Sequence, residues 1–417
     1  MRSLIMKRLL AIMVMLLTAA ALFAGGIENK TNFTTGWLMN MSRNTETQRP
    51  DAVFYNPAGT AFLEDGLYLD LGNQFVFKDY EHKVTVPPVG FGTYNADNVT
   101  YLYPNAALVF NKDNWAIFAA FGVFAGGGLL EYTKGTAETA GLILAAIGKG
   151  SGLTSADHSF DVYSVTFGEI IGGSYSFQDK VSISAAIRFL QGSQTMEAKQ
   201  SGTKILNAEA SANGIGGIFG VHYKPIDGLD IAATYQTITK MEYTWDKTET
   251  ADPVLGAVAG SLGIKKSEKF KNDLPAALGV GVGYRIIEEL YASVSFNYFF
   301  NKPADSTGGF GVDYDNSWEI SAGANYDFSK ELSFSLGCAY SKQGIEKGKN
   351  SSFSPNLDSF CIGLGTSLKF IKDLTIDIAG FKPFYSGTEY ATKDGIKMDL
   401  EKKSMWLIGI GATYKIF

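Results

Sequence analysis

From about residue 66 onward the chain alternates short polar turns with long loops. The short ones fall at 111–114, 177–180, 225–228, 287–289, 328–331 and 371–373, and between each pair lies a longer loop. Segments of alternating apolar residues join them. A sheet whose turns are short at one end and long at the other has two unlike faces of solvent, which is the sequence pattern of a transmembrane β-barrel.

The segments predict about fourteen strands, at 67–80, 98–111, 114–125, 159–177, 180–200, 204–224, 229–247, 272–286, 289–301, 313–328, 331–345, 353–370, 373–387 and 400–417. In the fifth, Val181, Ile183, Ala185, Ile187 and Phe189 point one way, and Ser182, Ser184, Ala186 and Arg188 the other. In the ninth, Leu290, Ala292, Val294, Phe296, Tyr298 and Phe300 oppose Tyr291, Ser293, Ser295, Asn297 and Phe299. A soluble sandwich also alternates, but its strands average about 5–6 residues, and these are longer. The expected fold is therefore all-β: a 14-stranded antiparallel transmembrane β-barrel. Charged residues are only 19% of the chain, and its 47 glycines, 29 phenylalanines and 21 tyrosines suit coiled strands and interfacial aromatic girdles.

Residues 1–24 read as a secretory signal peptide, with Lys7 and Arg8 ahead of an apolar core that ends near Ala24. Residues 25–64 lack a period of two and form a small N-terminal segment, and residues 65–417 form the barrel. An even strand number puts both barrel ends on one side, the periplasmic side of the short turns, so the N-terminal segment can fold up into the lumen. Cys338 and Cys361 fall on opposite faces of their strands, so no disulfide is expected. Glu169 shares parity with Val165 and Phe167 and would face lipid unless a bulge near Gly168 turns it inward.

Two outer loops are apolar. Leu142, Ile143, Leu144 and Ile147 lie in one, at 138–147, and Val254, Leu255, Val258 and Leu262 in the other, at 253–264. Both read as short helices, with Asp252 capping Pro253 in the second. They form either a capture surface for an apolar ligand or a lid of helices packed on each other. Signals for an enzyme are weak. His82, His158 and His222 have no ligand-spaced partners, and neither a Gly-x-Ser-x-Gly elbow nor a P-loop occurs, though distant strands could still assemble a triad. No metal or cofactor is expected. The net charge of −6 gives no support for binding nucleic acid.

Asn56-Pro57-Ala58-Gly59 follows 51–55 and precedes the first strand. Read locally, Asn56 caps, Pro57 opens a short helical turn and Gly59 ends it. Downstream stand Leu274-Pro275 with Gly279, Gly283 and Tyr284, then Trp318 with Gly323 and Tyr326, and Pro355 and Asp358 with Gly363. In this order and spacing the chain resembles the long-chain fatty acid transporter (FadL/TodX) family of outer-membrane proteins. The resemblance implies a plug, or hatch, in the lumen. It also implies passive uptake of long-chain fatty acids or similar hydrophobic molecules, collected by apolar outer loops and released sideways through a gap in the wall. The expected location is the bacterial outer membrane, and the expected partners are the hydrophobic ligand, outer-membrane lipid and the barrel assembly machinery, with the chain a monomer. The C-terminus departs from the usual outer-membrane ending, since Phe417 is last but Tyr414 lies on the opposite parity, in a lipid row with Trp406, Ile408, Ile410, Ala412 and Ile416.

Against that background, Gly122, Gly126, Gly127 and Gly128 in the third strand and Pro104 in the second are candidates for a lateral gap, the alternative being that the glycines only allow coiling. Arg188 and Arg285 are candidate partners for a ligand carboxylate, or they pair with lumenal Glu319, Asp327 or Asp377. A general porin or a surface-exposed adhesin on the same scaffold is the alternative function.

Overall fold

A computed structural model of the chain describes residues 33–86, 90–153, 155–305, 315–344, 357–386, 389–391 and 397–417. The expected signal segment, the start of the plug and Pro355 lie outside these residues. Fourteen antiparallel staves follow one another around a closed barrel, and β1 (Gly66–Val86) seals it by pairing with β14 (Lys397–Lys415). Between them run β2 (Gly90–Thr100 and Pro104–Lys112), β3 (Trp115–Tyr132), β4 (Ser159–Phe177), β5 (Val181–Gln200) and β6 (Thr203–Tyr223). Next come β7 (Leu229–Gln236 and Glu242–Thr250), β8 (Lys269–Lys271 and Ala276–Ile287), β9 (Leu290–Phe300) and β10 (Ser317–Asp327). The circuit ends with β11 (Leu332–Lys342), β12 (Asp358–Ile371), β13 (Leu374–Ser386 and Glu389–Ala391) and β14.

All six short turns occur where the sequence puts them. The strands differ from expectation mainly at the outer end. The β1–β2 hairpin runs on to Val86 and Gly90, and β3 continues through its glycines to Tyr132. The reason is visible on β5. Its outward row is Ile183, Ala185, Ile187 and Phe189, then Gln191 and Ser193, all exposed. The backbone ladder continues above the bilayer, but the apolar signal that marks a strand stops at the membrane edge.

Glu169 keeps the lipid-facing parity expected of it. No bulge turns it inward; it stays half-exposed on the outer row of β4, opposite Phe121 and Phe189. That level is the upper edge of the apolar belt on β5, where a carboxylate costs little. The register shifts lie across the seam in β3, between Val123 and Ala125 and between Ala125 and Gly128. The outward row of β14 is as expected, with Trp406, Ile410, Tyr414 and Ile416 exposed, and both cysteines are free.

Residues 33–65 fill the lower lumen as a plug. It carries α1 (Thr35–Met39), α2 (Ala52–Tyr55) and a 3-10 turn (Pro57–Phe62), and all of α1 and α2 is buried. The barrel wall is hollowed to receive it. Inward glycines take the space a side chain would need: Gly363 against the Leu38 carbonyl, Gly323 against Asn40, Gly337 against Met41, and Gly281 against Asn44. These glycines therefore do more than let strands coil. Between them, inward serines and asparagines bond the plug. Ser293 Oγ donates to the Ser42 carbonyl at 3.0 Å, and Asn44 Nδ2 donates to Val280 O at 3.0 Å and Asn297 Oδ1 at 2.9 Å. A buried irregular segment must satisfy its backbone groups somewhere, and here the polar inner rows do so.

Candidate functional site

The plug motif does not work as its local sequence suggests. Asn56 occupies the N-cap position but makes no capping bond; its Nδ2 donates to Glu46 O at 2.9 Å and lies 2.8 Å from His222 Nδ1. Gly59 does not end the turn, which runs to Phe62. It is glycine because a Cβ there would collide with the Glu46 carbonyl. Ala58 O accepts from Ser182 Oγ at 2.6 Å, and Pro57 fixes the start of the turn. The motif thus clasps the Glu46 carbonyl and docks on β5 and β6.

Above the plug lies a narrow cavity of about 40 Å3, closed down by the aromatic rings that line it. Phe33, Asn44, Phe54 and Tyr55 of the plug form its floor, and Phe124, Arg188, Gln236, Leu274, Pro275 and Phe299 stand in its walls. Phe33 stacks on Phe54 with centroids 5.2 Å apart and meets Phe124 at 4.8 Å. Arg188 is buried. Its Nη1 donates to Gln236 Oε1 at 2.6 Å, and its Nη2 to Thr237 O at 3.1 Å and Thr239 Oγ1 at 2.7 Å. The guanidinium carbon lies 5.7 Å from the Phe124 ring centre. Its Nε–H is buried without a hydrogen-bond partner, and no carboxylate pairs with it among the described residues. The expected lumenal acids are engaged elsewhere: Asp377 by Arg49 of the plug, Glu319 by Asn297, and Asp327 by Ser333.

Arg285 is not part of this cavity. It lies half-buried at the short-turn end, where Nη1 donates to Glu288 O at 2.7 Å and the guanidinium faces Tyr291 at 5.7 Å. Its parity is right for the lumen, but its height is wrong, because it sits two residues from the end of β8.

Directly beside Phe124 the wall is broken. Asn105 pairs with Gly122, and Ala96 pairs with Tyr132, but no described pair joins β2 to β3 between those levels. On the β2 side the chain swings out at Tyr101 and Leu102, both about 70% exposed, and resumes at Pro104. Asn73 holds this detour, with Nδ2 donating to Tyr101 O and Oδ1 accepting from Tyr103 N, each at 2.9 Å. On the β3 side Gly126 and Gly128 adopt φ of 89° and 76°, conformations that need glycine. Gly122 backs onto Phe54, and Gly127 lies beside Lys78. Side chains bridge the breach instead of backbone. Lys78 Nζ donates to Leu129 O at 3.0 Å, to Thr100 Oγ1 at 3.1 Å and to Gly127 O, and Asn98 Nδ2 donates to Leu129 O. Lys78, Asn98 and the plug phenylalanines carry no motif, so only the register of three strands brings them together.

The outer helices pack on each other. In α3 (Ala137–Gly148) Leu142 and Ile143 are buried and Leu144 and Ile147 half-buried. In α4 (Pro253–Ser261) Leu255 and Val258 are buried and Val254 half-buried, with Leu262 buried just beyond. Asp252 caps α4 as expected, accepting from Val254 N and Leu255 N at 2.9 Å each, and it also accepts from Ser151 in the α3 loop. Thr136 and Thr139 start α3 with a capping box, one residue earlier than the apolar run implied. The apolar side chains join the buried cluster that continues down to the plug. Among the described residues no group of three or more His, Cys, Asp or Glu side chains could hold a metal ion.

A closed antiparallel barrel with an apolar outer belt, short turns at one end and its own N-terminal segment in the lumen defines a plugged channel of the bacterial outer membrane. Residues 174–415 match the model of the family described as outer membrane protein transport protein (OMPP1/FadL/TodX), and the chain belongs to that family. Among solved structures, a Pseudomonas aeruginosa FadL homologue is similar at 16% identity with a TM-score of 0.71, over 95% of this chain and 100% of that one. The P. putida toluene transporter TodX is similar at 17% identity with a TM-score of 0.62, over 89% and 96%. The Ralstonia pickettii toluene transporter TbuX is similar at 15% identity with a TM-score of 0.58, over 88% and 94%. At such identities the likeness concerns the fold. No curated protein matches the chain.

Proposed function

We propose that the barrel carries hydrophobic molecules passively across the outer membrane, with long-chain fatty acids the preferred class. The reading rests on one arrangement: a narrow aromatic cavity with a buried arginine, whose wall residue Phe124 stands at an interrupted seam. Ligand enters past the α3–α4 lid, parts Phe33, Phe54 and Phe124 to make room for its chain, and leaves sideways between β2 and β3. An apolar solute gains nothing from crossing water, so a route from cavity to bilayer avoids the cost of the periplasm. The unpartnered Nε–H of Arg188, with no competing carboxylate, supports an acid over a neutral hydrocarbon such as the toluene named for two of the similar structures.

Two measurements test it. Arg188→Met should weaken binding of labelled oleate about tenfold or more and leave toluene binding unchanged; equal effects on both would remove the case for an acid. For the exit, Thr100 stands at the breach, its Oγ1 donating to Gly127 O at 3.3 Å. Thr100→Trp should fill the seam and reduce uptake, and Thr100→Ser should leave it unchanged. Undiminished uptake in the Thr100→Trp barrel rules out lateral release there.

A further inference from the structure

We propose that His222, steered by Asp230, is the receptor for the plug motif, and that it holds the plug only as the neutral imidazole. His222 is fully buried at the lower end of β6. Asn56 Nδ2 lies 2.8 Å from Nδ1, so that nitrogen must accept, and Nε2–H then donates to Asp230 Oδ1 at 2.8 Å. The Tyr291 hydroxyl lies 3.1 Å from the other Asp230 oxygen and 2.9 Å from Thr45 Oγ1. The remaining neighbours are Phe62, edge-on to the ring at 5.1 Å, Lys224, whose ammonium sits over Phe62, and Glu46 of the plug. The amide of Asn56 spends both its protons here, one on Glu46 O and one on His222.

A second proton on His222 places N–H against N–H at this contact. Turning the Asn56 amide would give His222 an acceptor, but it aims Oδ1 at the Glu46 carbonyl that the motif clasps. In either orientation one buried hydrogen bond is lost. Asp230 still pairs with the imidazolium, so the ring stays on the wall while the plug lets go. The loss falls on the link between residues 44–46 and 56–59, the two halves of the lower plug. His222 is thus a positioning residue whose protonation loosens the plug at acid pH, independent of which molecule the barrel carries.

Hydrogen exchange on the full chain in detergent micelles, at pH 7.5 and 5.0, tests this. Protection of peptides from 44–62 is referenced to β9–β11 and corrected for the intrinsic exchange rate at each pH. The wild-type ratio should fall about tenfold at pH 5.0, the scale of one buried hydrogen bond. His222→Gln, uncharged at both pH values, should show no change between them. Asn56→Asp, which accepts from an imidazolium, should reverse the sign and protect the plug better at pH 5.0. A wild-type ratio that does not move with pH overturns the proposal, as does the same acid loss in His222→Gln. Should His222→Gln leave the plug unprotected at both pH values, Asn56→Asp decides: reversal upholds the proposal, and loss in the wild-type direction overturns it.

Discussion

Arg49 of the plug reaches the barrel wall at Asp377, with Nη1 donating to Oδ1 at 3.1 Å and Nη2 engaging the second oxygen. Asp377 is 1% exposed, so this bidentate pair is a charge contact between two parts of one chain that share no backbone. It stands beside the Arg43–Asp51 pair within the plug, and Arg49 Nη1 also donates to Ser367 Oγ of β12 at 3.4 Å.

Removing one partner should free the plug. Asp377→Asn leaves Arg49 facing a neutral amide, and breaking a buried pair from one side costs about 3–5 kcal/mol. The expected result is a barrel that still shifts on heating in gels but passes ions in planar bilayers, where the wild type should be nearly silent. Arg49→Met with Asp377→Leu should be quieter than either single change, because no charge is left unpaired. A silent Asp377→Asn channel would show that the pair does not hold the plug.

The glycine-lined seat gives a second expectation. Gly363→Ala puts a methyl group against the Leu38 carbonyl, overpacking that costs about 1–3 kcal/mol. The strain falls on the plug, since the wall pairs through backbone. Protease should then cut within residues 33–65 of the variant while the barrel stays intact. Wild-type resistance of the plug would sink the idea.

The outer lid depends on its caps. Asp252→Ala removes the acceptor for Val254 N and Leu255 N, a loss of about 1 kcal/mol, and also the contact from Ser151. Exchange over 253–262 should quicken about fivefold, with α3 affected less. Equal protection in the two proteins would mean that α4 is held by packing alone.

Acid should loosen the other half of the lid. Burial pushes the His158 imidazole below its ordinary pKa, against the opposing pull of the Ala156 carbonyl and Asp157. The folded state therefore favours neutral His158. Its contribution is complete above the unfolded value of about 6.5 and is lost as pH falls below it. Because His158 bonds Thr139 in the capping box, exchange over 137–148 should rise between pH 7.5 and 5, and His158→Gln should flatten that rise. A rise of the same size in the variant would point to another group.

Much of this architecture is written along the chain. Alternation on β5 and β9 placed each strand, and the six short turns set the count and the orientation, because a membrane strand must show lipid an apolar row on every second residue. The Asn56–Gly59 motif marked the plug. What the sequence could not carry is everything that depends on height and register across the barrel. Parity put both Arg188 and Arg285 in the lumen, but only the stagger of the strands raised one into the cavity and left the other at the rim. The glycines of β3 suggested a weak wall, yet its bridging by Lys78 and Asn98 joins residues from three strands. His222 carried no motif at all, and it meets Asn56 only because the plug folds back against β6. Local pattern determines which way a side chain faces; the partner it meets across 166 residues is decided by closure of the barrel around its own N-terminus.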